Sequence, residues 1–168
     1  MVAFALAWAT RTRKPAVGEL LYWEKDGLRV YSVANSECDI RREASTYDLS
    51  LWLDSLGQSE SGQPDRNAPT MEVSICFPSD PLKLIVENAR FQIVSRTKTG
   101  LNLTNIARSD EYGHGDLVDG YLIVNRVSST HIDMAISGCN NADGNARISV
   151  RALFRKTGGF SAPAKPTN

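Results

Sequence analysis

Only three cysteines and two histidines occur in this chain of 168 residues, which removes most of the raw material for a structural zinc site or a disulfide framework. Cys38, Cys76 and Cys139 form no CxxC pair, and no cysteine stands in a cluster with histidine. There is no uninterrupted apolar run of about 18 residues, so no helix spanning a bilayer is expected. The opening stretch from Met1 to Trp8 is apolar, but its cations, Arg11, Arg13 and Lys14, follow the apolar part, whereas a secretory signal places them first. The expected setting is therefore a reducing cytoplasm, free or peripheral at a membrane or within a viral particle.

Catalytic signatures are missing as well. No GxGxxG, GxxxxGK[ST], HExxH, GxSxG or calcium-loop pattern occurs, so nucleotide binding, zinc proteolysis, α/β-hydrolase chemistry and EF-hand calcium binding lose their usual support in sequence. No cofactor is expected.

What is present describes a folded body. Apolar residues make up 42% and charged residues 23%, close to ordinary globular usage. A chain of this length can close a core without covalent staples. The formal net charge is zero, yet the charge is segregated: residues 1–18 hold three cations and no acid, and residues 144–168 hold five cations and no acid. All 19 acids lie between Glu19 and Asp143, against 11 cations there, a net of −8.

Period-two patterning dominates the rest. Leu20 to Trp23 and Leu28 to Tyr31 flank Lys25-Asp26-Gly27, a tight-turn signal that predicts a hairpin. Tyr47, Leu49, Leu51 and Leu53 alternate with polar residues; Leu49, Trp52, Leu53 and Leu56 also fit a helical face, and strand is preferred. Met71–Phe77 reads as another strand. Leu82, Ile85, Val86, Ala89 and Ile93 form a helical stripe behind Ser79 and Pro81, which predicts a helix over residues 79–96. Tyr121–Val127, His131–Ser137 and Arg147–Arg155 predict an antiparallel meander, with Ile132, Met134, Ile136, Ile148, Val150, Ala152 and Phe154 on its core side.

The reading is all-β, mainly antiparallel: a β-sandwich or partly open barrel of seven to nine strands with one or two short helices. Residues 1–16 are expected to form an N-terminal arm, 17–156 one domain, 57–69 a mobile loop with little to bury, and 157–168 a disordered tail.

Four candidate sites stand out. Glu111, His114 and Asp116 on a glycine-flexed loop are weak candidates for metal binding or acid–base work; turn-making explains the same residues. Arg147, Arg151 and Arg155 share a strand face and, with Arg11, Arg13 and Lys14, offer a surface for anions such as membrane or nucleoprotein, unless acids such as Asp133 neutralise them. Phe4 and Trp8, four residues apart, are candidates for docking into a neighbouring subunit or the domain itself. Trp23, Trp52 and Tyr112 are candidate stacking platforms.

Together these favour a non-enzymatic, self-associating structural or adaptor protein that binds anionic surfaces, with a viral matrix- or coat-type protein as an example of the class. The competing readings are a carbohydrate- or small-ligand-binding β-sandwich module and an enzyme centred on His114.

Overall fold

The computed structural model describes residues 13–23, 25–43, 46–57, 68–77, 81–93, 102–107, 114–140 and 146–160. Nine strands run through them: β1 (Glu19–Trp23), β2 (Leu28–Glu43), β3 (Thr46–Leu56), β4 (Thr70–Phe77), β5 (Arg90–Ile93), β6 (Asn102–Ala107), β7 (His114–Val127), β8 (His131–Asn140) and β9 (Ala146–Gly158). They form one sheet in the order β5-β7-β6-β4-β3-β2-β1-β9-β8, and an additional β7–β8 pairing brings the sheet back onto itself. The result is a curled, almost wholly antiparallel sheet, a partly open barrel.

The hairpin anticipated in the first half is β1 and β2, with Trp23 opposite Leu28 and Gly27 at φ 147° in the turn, a backbone region that favours glycine. Tyr47 to Leu56 lie in β3, paired with β2 on one side and β4 on the other, so tertiary pairing settled the ambiguity in favour of strand. The C-terminal meander has the expected faces: Ile132, Met134, Ile136, Ile148, Val150, Ala152 and Phe154 are all buried. They join Leu49, Leu51 and Leu53 of β3 and Met71, Val73, Ile75 and Phe77 of β4 in a single core. Inside it, the Asn140 side-chain amide donates to the Tyr22 hydroxyl at 3.1 Å.

β1 acts as a wedge. It pairs antiparallel with the first part of β2 and with residues 147–151 of β9; beyond it β2 and β9 meet directly as a short parallel ladder, Glu37–Ile40 against Arg155–Gly158. The register of β2 slips between Val33 and Asn35, at the place where it changes partners. Cys38 sits in this seam. Burial pushes its thiol pKa up to about 12, against a weaker downward pull from Lys156, so it behaves as a small apolar side chain.

Three expectations are corrected. Residues 79–96 do not form a helix: within the described part, one 3-10 turn, Pro81–Lys83, is followed by irregular chain and by β5. Asn88 at φ 67° interrupts any helix, and Ala89 and Asn88 exchange backbone hydrogen bonds with Val124, so β-pairing takes the place of the helical ladder. Pro81 and Ile85 are buried, whereas Leu82, Leu84 and Val86 are exposed. The 57–69 segment is not free throughout: residues 58–67 lie outside the described residues, but Ala68 belongs to the core and the Ser55 hydroxyl donates to the Pro69 carbonyl at 2.6 Å. Nor does the domain stop at 156, because β9 runs to Gly158 and Phe160 packs against the core.

Candidate functional site

The sheet curls with its apolar side chains inward, so the chemistry available to a partner lies on the outer walls and the two ends. On β9 the odd-numbered residues point outward, which puts Arg147, Arg151 and Arg155 on one wall together with Leu153, 51% exposed. The stripe is present, and its charge is largely matched from within. Arg151 donates two hydrogen bonds to Asp133, at 2.9 and 2.7 Å, and Asn125 donates a third at 3.0 Å. Arg155 pairs with Glu37 across the β2–β9 seam, and the Arg147 guanidinium lies 5.2 Å from the centre of the Trp23 ring. One guanidinium nitrogen of Arg13 donates to both carboxylate oxygens of Glu19, at 2.9 and 3.0 Å, while Lys14 is exposed. Cross-strand neutralisation by Asp133 is therefore what the fold adopts, and the pairing sets the chemistry of that carboxylate. The Arg151 hydrogen bonds hold its pKa below the ordinary carboxylate range, against the opposing effect of burial.

A group whose folded pKa is depressed contributes stability that is present above its unfolded value of about 3.9 and is lost as pH falls through the folded value. Asp133→Asn is thus expected to lower stability by about 1–2 kcal/mol at neutral pH, a figure discounted because Arg151 is part-exposed. The variant's stability should also fall less steeply below about pH 4, where the native carboxylate takes up its proton. Urea unfolding across pH reads both effects, and parallel pH profiles for the two proteins would refute this role for Asp133.

The wall formed by β2, β3 and β4 has the opposite character. Trp52, 41% exposed, stands on β3 directly between Glu37 of β2 and Glu72 of β4. Directly opposed side chains on neighbouring strands lie about 4.5–5.5 Å apart at Cβ. Asp54 and Ser50 are on the same face of β3, and farther along the Asp48 carboxylate accepts from the hydroxyls of Ser74, at 2.5 Å, and Ser50, at 3.4 Å. Of the three candidate stacking residues, Trp52 is the one held on an open acidic wall. Trp23 is half-buried beneath Arg147, and Tyr112 lies outside the described residues.

The other sequence candidates separate in the same way. Phe4, Trp8, Arg11 and Glu111 lie outside the described residues. His114 and Asp116 belong to the start of β7, opposite Ala107 and Asn105 of β6, and not to a free loop; pairing with the preceding strand is what extends β7. Among the described residues, no group of three His, Cys, Asp or Glu side chains is placed to hold a metal ion. Also among them, no helix is long and apolar enough to cross a membrane.

One feature of the site had no signal in the sequence. Because neighbouring strands alternate in direction, the two ends of the barrel gather residues far apart in the chain. One end, where β2, β7 and β9 finish and β5 starts, gathers Arg42, Arg126, Lys156 and Arg90, with Asp39 and Asp48 beside them; the other mixes Lys25, Arg29 and Arg147 with Asp26 and Asp119.

The arrangement defines an antiparallel β domain whose distinctive chemistry is distributed over its outer surface. No family model matches the chain, and no curated protein or solved structure matches it significantly.

Proposed function

We propose that this is a non-enzymatic, self-associating structural or adaptor protein that attaches to anionic surfaces; a matrix- or coat-type protein of a viral particle is one setting for such a subunit. The observation that carries the reading is the contrast between two outer walls of the same barrel. One presents Trp52 among Glu37, Asp54 and Glu72; the other presents Leu153 among Arg147, Arg151 and Arg155. Different, complementary patches on identical subunits favour heterologous contacts, which make rings or filaments according to whether the rotation closes. The Arg155–Glu37 pair is open to exchange, since the Arg155 side chain is 62% exposed and exposed ion pairs contribute only about 0–1 kcal/mol each, whereas Arg151 stays with the buried Asp133.

Mass measured by light scattering tests this. The expected result is a mass that grows with protein concentration and shrinks as salt rises, because exposed charges are screened over about 8 Å at physiological ionic strength. Trp52→Ala and Leu153→Ala are each expected to weaken assembly about tenfold or more while leaving the fold intact, as central exposed anchors do. A protein that stays monomeric at high concentration and low salt overturns the assembly reading.

The second reading, a carbohydrate- or small-ligand-binding module, is favoured by the same Trp52, since an exposed indole rimmed by carboxylates can stack on a sugar ring or a cation. It gains ground if the protein is monomeric and a glycan or cationic ligand changes Trp52 fluorescence.

A further inference from the structure

Between β4 and β5 the chain crosses one end of the barrel, and the way it does so is specific. Pro81 and Ile85 turn inward and are buried with the core, and the amides of Leu84 and Ile85 both donate to the Pro81 carbonyl at 2.8 Å. Pinned from beneath, the segment presents its other large side chains outward: Leu82 is 50% exposed, Leu84 44% and Val86 53%. Three large apolar side chains within five residues, none with the core to bury it, form a raised apolar ridge of a kind a soluble surface rarely keeps without use.

Its surroundings indicate what covers it. Lys83 lies within the ridge, and Arg42, Arg90, Arg126 and Lys156 come to the same end from four different strands; among the described residues, none of these five cations is in an ion pair. Arg90 is stacked 3.7 Å from the centre of the Tyr121 ring, and Lys156 lies 5.5 Å from that of Phe160, so part of the charge stands on aromatic side chains. The described acids at this end, Asp39, Asp48 and Glu87, are fewer than its cations, and Asp39 is held by Arg41 at 3.0 Å. Such a charge distribution turns the barrel in the field of a negative surface so that the ridge arrives first.

We propose that this end of the barrel is a membrane-docking surface, in which Leu82, Leu84 and Val86 enter the headgroup and acyl boundary of an anionic bilayer while Lys83, Arg42, Arg90, Arg126 and Lys156 contact its phosphates. The inference rests on the reading of the protein as one that attaches to anionic surfaces, and it moves the attachment from the β9 arginines to the barrel end. Apolar side chains at the centre and long basic ones at the rim match a bilayer interface, where lysine and arginine stems lie along the apolar layer and their charges reach the headgroups. A nucleic acid would use the cations and leave the ridge in water. The two outer walls stay free, so assembly and attachment are compatible.

The test is co-sedimentation of the full chain with vesicles of phosphatidylcholine and phosphatidylserine, with pure phosphatidylcholine vesicles alongside. The native protein is expected to bind the mixed vesicles, less so at high salt, and to bind the neutral ones poorly. The triple change Leu82→Ser, Leu84→Ser and Val86→Ser alters exposed positions only; it should keep the native melting profile and lose vesicle affinity about tenfold or more, the scale of burying such side chains at an interface. Lys83→Glu with Arg90→Glu should lose it in the same way, and Arg151→Gln, on the β9 wall, should not. Native binding that the triple variant retains overturns this docking surface while leaving attachment standing. A native protein that ignores both vesicles overturns attachment itself. Assembly is read separately by light scattering, so a monomer that still binds the mixed vesicles supports the docking surface and sinks only the assembly reading.

Discussion

Phe154→Ala lowers the unfolding free energy by about 3–5 kcal/mol, whereas Leu153→Ala, one residue away, changes it by about 0.5 kcal/mol or less. The contrast follows from parity along β9. Phe154 is fully buried opposite Ile132, in the middle of a core shared by seven of the strands, and its removal leaves a ring-sized void that β-sheet backbones on all sides prevent from collapsing. Leu153 lies on the outer wall opposite Asp133 and is half in water already. Chemical denaturation of the two variants measures the difference directly. Equal losses would mean that the register of β9 is shifted by one residue, since such a slip exchanges the two faces of a strand.

Gly159→Ala detaches the C-terminal end of the sheet. The Gly159 amide donates to the Asp39 carboxylate at 2.9 Å, and a Cβ built at this position would fall inside the Ile40 carbonyl oxygen, a backbone atom that the parallel β2–β9 ladder holds in place. Gly158, next to it, has φ 51°, and a Cβ there would meet the Asp39 carboxylate. Neither position has room for a side chain. The expected loss is about 1–3 kcal/mol, in the range of overpacking in a tight site, with Phe160 released from the core it packs against. Amide hydrogen exchange should show lost protection over 155–160 with little change in the β7–β8 ladder. Unchanged protection at that end would mean that the seam opens without cost.

These two positions mark how far local patterning reaches. Phe154 was legible in sequence because alternation along β9 needs only the residues of β9: Ile148, Val150, Ala152 and Phe154 against Arg147, Arg151 and Arg155. Gly159 was not. Its closeness to Ile40 depends on β2 leaving β1 and meeting β9 in parallel, a contact across more than a hundred residues that leaves no local pattern. The GG pair reads the same whether it frees a tail or fits a seam.

The same division explains the segment 79–96. Its apolar spacing fits a helix, but a helical stripe must find an apolar face to cover, and here the open edge of β7 offers backbone hydrogen bonds instead. Of the stripe that spacing predicted, Ile85 and Ala89 do turn to the core, whereas Leu82 and Val86 are exposed, so the helical period chose only part of the inward face. For the candidate site, the sequence supplied the arginine stripe and Asp133 as its neutraliser, and named Trp52 as one of three platforms.

Alternation and the Asp26-Gly27 turn thus determined on their own the all-β class and the inward faces of the C-terminal strands, because each depends on a residue and its near neighbours. The curl of the sheet, the wedge at β1, the acidic wall around Trp52 and the meeting of Arg42, Arg90, Arg126 and Lys156 at one end of the barrel were decided only by tertiary structure. They join residues that the chain separates, and strand order, which fixes those encounters, is set by the closure of the whole core.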